Sequence, residues 1–250
     1  MFLIEETQLF LGLPISFGTT CLIYPLTIEE LSVMGDNKYR FHLNLLTMSE
    51  EDILNMYEEK HIKPPEDLSV FDYLISSCAI DVNFLLDMKN AFFTFIREPV
   101  QILPEQKTIL VGKIEEKRII NKDNFTDFQN ILRQQNNIEI PEPVPENENK
   151  MQKKFRLRRL ALAKAKRKQA LKNPEEMITL SSLMAAFIVY GLGSLEELKK
   201  YSIYTLNKVL EMARAKEEYE YDTKAILAGA DPKKVKPKYW IRNINNIGGK

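Results

Sequence analysis

Read for the spacing of its apolar residues, the chain alternates between strand-like and helix-like patterns up to about residue 140 and is helical again past residue 173. Residues Leu9 to Leu26 hold two β-leaning runs on either side of Phe17-Gly18-Thr19-Thr20, which predicts a hairpin with Pro14 and Pro25 near strand ends or on an edge. Thr27-Ile-Glu-Glu30 reads as a capping box and starts a helix. Ser49-Glu-Glu-Asp52 opens another in the same way, its acids favoured at the positive end of the helix dipole, with Ile53, Met56 and Tyr57 as the apolar face.

Two longer periodic stretches follow. Val70, Phe71, Leu74, Ile75 and Cys78 share a face between residues 67 and 80, and Leu85, Met88, Phe92 and Phe95 share one between 82 and 96. These are the expected centre of the first core. Val100 to Leu103, Thr108 to Gly112 and Lys117 to Ile120 are short, β-branched and separated by turn residues, so they predict a small sheet or meander. Helical spacing returns through Phe125, Phe128, Ile131 and Leu132.

Past residue 172, Asn173-Pro-Glu-Glu176 offers an N-cap, a proline at the first helical position and an acid in the first turn. Leu180, Leu183, Met184, Phe187 and Ile188 form its apolar face, Gly191 ends it in a left-handed turn, and Ser194-Leu-Glu-Glu197 starts the next helix. Ile203, Leu206, Leu210 and Ala213 continue the pattern, and Tyr219 to Leu227 predict a final helix closed by Gly229. The fold class expected is α+β: an α+β domain over residues 1–138 with a small hairpin and meander, an acidic-then-basic connector over 139–172, and a helical domain of three or four short helices over 173–250.

Charge changes this picture at one place. The 250 residues balance 35 Lys and Arg against 35 Asp and Glu, yet Lys150 to Lys172 holds eleven basic residues and no acid, directly after the acidic, proline-broken run IEIPEPVPENEN. On a helix its basic side chains spread around the whole cylinder, so no clean apolar stripe is left to bury. The reading is an exposed connector for an acidic or anionic partner. Overall neutrality argues against bulk nucleic-acid binding. Phosphate contact through this segment is the rival, but Phe155 is its only aromatic residue for base stacking. The angular scatter also speaks against a membrane-surface helix.

Other chemistry is sparse. Catalysis by a Ser or Cys nucleophile needs a base beside it, and the chain offers only His42 and His61, neither near a glycine-rich nucleophile turn. Cys21, His42, His61 and Cys78 lie too far apart in sequence for the close-paired spacing of a zinc site, and two separated thiols fit a reducing compartment. No GxGxxG or Walker spacing is present. Glu5 and Glu6 stand where a signal peptide carries basic residues, and the uncharged run Met177 to Leu195 is diluted by Ser, Thr and Gly, so neither secretion nor a membrane span is expected. The expectation is a protein that is not an enzyme and uses no metal, cofactor or small-molecule substrate.

The stretch GLPISFGTTCLIYPLTIEELSVMGDNKYRFHLNLLTMSEEDI resembles a recurrent opening of virion-morphogenesis proteins of tailed phages that infect Gram-positive bacteria, in which a glycine-proline strand leads to a YP-x-T-x-x-E helix start. The stretch SLEELKKYSIYTLNKVLEMARAKEEYEYDTKAILAGADPKKVKPKYWIRNI is similar to the helical part of phage tail assembly chaperones, with Tyr201, Tyr204, Gly229 and Trp240 at the matching positions. The resemblance implies a role in building the tail, either as a chaperone for unassembled subunits or as a baseplate or neck component. It implies other tail proteins as partners, and the host cytoplasm or the virion tail as location; the basic segment also fits the Glu-rich run Glu139 to Glu148 of a second copy of this chain. The residues assigned to partner contact are Arg156, Arg158, Arg159, Lys166, Arg167 and Lys168 on the connector, with Tyr239 and Trp240 anchoring the tail peptide either on a partner or on the helical domain.

Overall fold

The computed structural model describes residues 4–59, 61–63, 65, 69–113, 118–140, 151–152, 155, 158–159, 162 and 178–241. The N-terminal region is mixed. Helix α1 (Glu6–Phe10) leads into an antiparallel hairpin of β1 (Ile15–Phe17) and β2 (Cys21–Ile23), paired Ile15 with Ile23 and Phe17 with Cys21. Those four side chains point to the core, while Ser16 and Leu22 point outward, the period of two that the sequence predicts. Leu9 belongs to α1 and not to a strand, because Leu9 is followed by a turn at residues 11 and 12 that reverses the chain before β1 begins.

Thr27 caps α2 (Ile28–Met34): its hydroxyl accepts from the amide of Glu30, and the Glu30 carboxylate accepts from the amide of Thr27 at 2.9 Å. Helices α3 (Asp36–Thr47), α4 (Glu50–Glu59), α5 (Val70–Ile80) and α6 (Val82–Ile96) follow. A second sheet, in the order β3 (Val100–Leu103), β4 (Thr108–Val111), β5 (Ile119–Ile120), is an antiparallel meander, and α7 (Lys122–Gln135) closes the region. Every element named from β1 to α7 contributes to the core or borders it. Its middle is aromatic: Phe92 packs on Phe128 with ring centroids 5.3 Å apart, Phe71 on Phe125 at 5.3 Å, and Phe17 of the hairpin edge-on to Phe128 at 5.7 Å.

The buried face of α7 is partly polar and serves the backbone of its neighbours. Arg133 is buried, and its guanidinium donates to the carbonyl of Thr47 at 2.7 Å, while Gln129 donates to the carbonyls of Leu46 at 2.8 Å and Met48 at 3.0 Å. These are the carbonyls that the end of α3 leaves without helical partners. Gln135 donates likewise to Ile23 of the hairpin at 3.0 Å. Burial lowers the Arg133 pKa from its ordinary value, and the nearby Asp52 charge opposes the shift.

The C-terminal region is helical, with α8 (Leu180–Val189), α9 (Leu195–Leu198) and α10 (Ile203–Leu227). Two details differ from the sequence expectation. Helix α8 is capped by Thr179, whose hydroxyl accepts from the amide of Ser182 at 3.1 Å; Asn173 and the proline after it lie outside the described residues. The last stretch is also one helix of 25 residues and not two short ones, since no Gly or Pro interrupts Ile203 to Leu227. Gly191, at φ 65°, makes the left-handed turn after α8 as expected. Gly193 follows for a packing reason: a Cβ there would meet the Phe187 ring at 3.0 Å and the Glu197 carboxylate at 2.9 Å.

Ile28, from the N-terminal region, sits inside the C-terminal core with Phe187, Leu198, Leu206 and Leu210. Leu180 packs against both cores. Backbone bonds tie the same seam: the amides of Ile28 and Glu29 donate to the carbonyls of Tyr201 at 2.8 Å and Lys199 at 3.1 Å, and the Thr205 hydroxyl donates to the Phe10 carbonyl at 2.7 Å. The first amides of α2, orphaned as at every helix start, are thus satisfied by the chain that leaves α9.

Candidate partner interface

Two of the six connector cations are among the described residues. Arg158 and Arg159 stand on helical backbone and are exposed, as are Phe155 and Leu162 of the same segment, at 60% and 56%. Arg156, Lys166, Arg167 and Lys168 lie outside the described residues, as do Lys150 and residues 141–149 of the acidic run.

The aromatic pair of the tail has an intramolecular contact. Tyr239 stands edge-on to Tyr219 of α10, ring centroids 5.6 Å apart, and Trp240 tilts against Tyr239 at 6.2 Å. The tail therefore doubles back along the long helix after Gly229, at φ 100°, and a turn in which the Asp231 carboxylate accepts from the amide of Lys233 at 2.9 Å. Tyr239 remains exposed and Trp240 half-buried. Nearby, the Tyr190 hydroxyl donates to Glu217 at 3.0 Å, and that bond to a carboxylate raises its pKa. The arrangement presents aromatic edges and carboxylates next to one another. Such a surface suits protein contact, where Tyr and Trp supply much apolar area with a polar handle.

The residues weighed for catalysis or metal are scattered. The His42 imidazole is buried between α3 and α6 with Nδ1 2.8 Å from Thr94 Oγ1, and burial lowers its pKa. His61 is exposed in a turn. Burial pushes the Cys21 thiol up to about 12, aided by the negative charge of Glu98, and the Cys78 thiol up to about 11. Both are core packing groups, poor in thiolate at neutral pH. Among the described residues no group of three or more His, Cys, Asp or Glu is placed to hold a metal ion, and no helix is long and apolar enough to cross a membrane.

With this geometry in view, the family comparison falls on the C-terminal part. Residues 166–245 match the family model described as YomV second domain. That family is phage-derived. The YomV-like region takes in Lys166, Arg167 and Lys168 of the connector, all three C-terminal helices, and the Tyr219, Tyr239 and Trp240 ladder. Comparison with curated proteins and with solved structures gives no match.

One surface escapes a reading by periodicity. Val82, Leu86 and Phe93 of α6 are exposed at 70%, 51% and 56%. The sequence reading assigns α6 a single buried face through Leu85, Met88, Phe92 and Phe95. The signal for the second stripe was present in the recurrence of apolar residues at 82, 86 and 93, four and seven apart, on the side away from the core.

Proposed function

We propose that the protein works in the building of a phage tail, without catalysis, by holding other proteins through its charged connector and its aromatic tail ladder. The observation that carries this reading is the likeness of residues 166–245 to a phage-derived domain, in a chain whose connector turns basic at Lys150 and runs into that domain. Exposed Arg158 and Arg159 support it: a guanidinium is weakly hydrated and pairs with carboxylates in two-pronged fashion, so an acidic protein surface is a fitting ligand.

The test replaces Arg156, Arg158, Arg159, Lys166, Arg167 and Lys168 together by Gln. Expected are an unchanged circular dichroism spectrum and loss of co-purification with tail proteins from infected cells. Mass spectrometry of purified virions then separates a chaperone, absent from the particle, from a resident baseplate or neck component. Retained co-purification of the six-residue variant would remove the connector from the interface. Binding of duplex DNA that weakens steeply between two salt concentrations would replace a protein partner by phosphate.

A further inference from the structure

We propose that the tail from Lys233 to Ile241 is a docking strip for an extended, acidic segment of a partner protein. The partner's carboxylates pair with Lys233, Lys234, Lys236 and Lys238, and its apolar side chains lie on Tyr239 and Ile241. All four lysines are exposed, and among the described residues none meets a carboxylate. By contrast Lys199 bonds Glu196 at 2.7 Å, Lys208 bonds Glu211 at 3.2 Å, and Lys216 reaches Glu220 at 3.8 Å. The Glu217 carboxylate on α10 is taken by the Tyr190 hydroxyl, and Asp231 by the amide of Lys233. Residues 232–241 hold four lysines and no acid, so uncompensated positive charge is concentrated on a short piece of chain.

The backbone and the apolar surface of the strip favour a peptide. Past Val235, whose amide donates to the Asp231 carbonyl at 3.0 Å, residues 236–241 make no backbone hydrogen bond among the described residues and belong to no helix or strand. Pro237 has no amide, which leaves Lys236 and residues 238–241 as donors for an added chain, as in strand addition. Tyr239 and Ile241 are each 56% exposed beside the cations, so apolar and charged contacts are offered together.

The ladder distinguishes this ligand from a nucleic acid. Successive bases stack on ring faces that run parallel along a strand, whereas Tyr219 and Tyr239 stand at 88° to one another and Tyr239 and Trp240 at 46°. Asp222, half-buried on α10 one turn on from Tyr219, adds a negative charge on the face that carries the ladder. That charge opposes a continuous polyanion more than a peptide whose acids are spaced by neutral residues.

The inference rests on the reading of the ladder as a protein contact, but its test contains no tail protein, so the two fail separately. The probe is a labelled synthetic peptide of residues 138–149, IEIPEPVPENEN, whose four glutamates are spaced by Ile, Pro, Val and Asn. Fluorescence anisotropy follows its binding to the full chain. The full chain carrying Glu139→Gln, Glu142→Gln, Glu146→Gln and Glu148→Gln is titrated in parallel, so that its own run does not compete. Expected are saturable binding, a dissociation constant about tenfold higher for the chain with Lys234→Gln, Lys236→Gln and Lys238→Gln, and no binding of the peptide with Gln in place of every Glu. The three lysines are exposed and unpaired, so the far-UV circular dichroism spectrum of that variant should match the parent. Absence of binding to either chain, equal binding of the Gln peptide, equal binding by the lysine variant, or tighter binding of an oligothymidylate than of the peptide would each overturn the proposal.

Discussion

Thr27 and Ser202, each the N-cap of its helix, form an antiparallel β-bridge that joins the start of α2 to the start of α10. Each residue therefore has two tasks. Its side chain satisfies a helix amide, with Thr27 accepting from Glu30 at 3.2 Å and Ser202 from Thr205 at 3.1 Å, and its backbone holds the other region.

The seam predicts that the two regions unfold together. Truncation of Ile28, fully buried among Phe187, Leu198, Leu206 and Leu210, to Ala should cost about 2–5 kcal/mol. Urea unfolding followed by Trp240 fluorescence should coincide with unfolding followed by far-UV circular dichroism, in the parent and in Ile28→Ala. Two separated transitions would mean that the C-terminal helices stand alone. Residues 1–140 and 173–250, coexpressed as separate chains, should also purify as a complex.

Arg133 holds the end of α3, and its loss should be felt as orphaned carbonyls. Arg133→Ala removes the donor to Thr47 and leaves a buried acceptor unpaired, at a cost of about 1–3 kcal/mol. Arg133→Lys keeps the charge but has one nitrogen in place of the planar fork, so it should fall between the two in urea midpoint. Equal stability of Arg133→Ala and the parent would show that water replaces the guanidinium at no cost.

Asp72 links three elements, accepting from Ser69 at 2.6 Å, Lys107 at 2.9 Å and Lys122 at 2.9 Å. The hydrogen bond from Ser69, then those from the two lysines, hold its carboxyl far below the ordinary value of 3.8. A depressed carboxylate contributes stability that is fully present above its unfolded pKa and is lost as pH falls toward the folded one. The stability gap between the parent and Asp72→Asn should therefore be constant from neutral pH down to about pH 5 and shrink below about pH 4. Midpoints measured across that range check it, and a gap that widens in acid would contradict the sign.

Tyr219 is the point on which the tail rests. Tyr219→Ala should release Tyr239 and with it Trp240, seen as a red shift of tryptophan emission and faster amide exchange in residues 231–241, with little change in the global transition. An unchanged emission maximum would mean that Trp240 is held elsewhere.

Much of the fold was legible because its signals are local. The capping boxes at Thr27 and Ser194 each lie within four residues, and each forms in the structure as its spacing requires. The hairpin at Phe17 to Thr20 and the three β-branched runs between residues 100 and 120 are also short-range patterns. One local signal was passed over: Thr179 caps the helix that carries Leu180 to Val189, while Asn173-Pro lies outside the described residues. What no local pattern encodes is the partnership of Ile28 with Phe187, more than 150 positions away, or the use of Arg133 and Gln129 as donors to another helix. A buried arginine within an amphipathic helix reads as surface until the carbonyls it serves are known. For the proposed interface, the sequence marks the cationic segment by composition. The outer stripe of α6 was hidden because a helix with apolar residues on two sides looks like one broad buried face.

The junction from Leu198 to Ser202 has a consequence for how related chains can vary in length. Within these few residues the carbonyls of Lys199 and Tyr201 accept from the first amides of α2, and Ser202 both bridges Thr27 and caps the long helix. An inserted or deleted residue here would shift every one of these pairings by one position, and no single side-chain change would restore them. Length variants should accumulate beyond Gly229 and leave this five-residue stretch untouched, as a pin fixes the register of two gears.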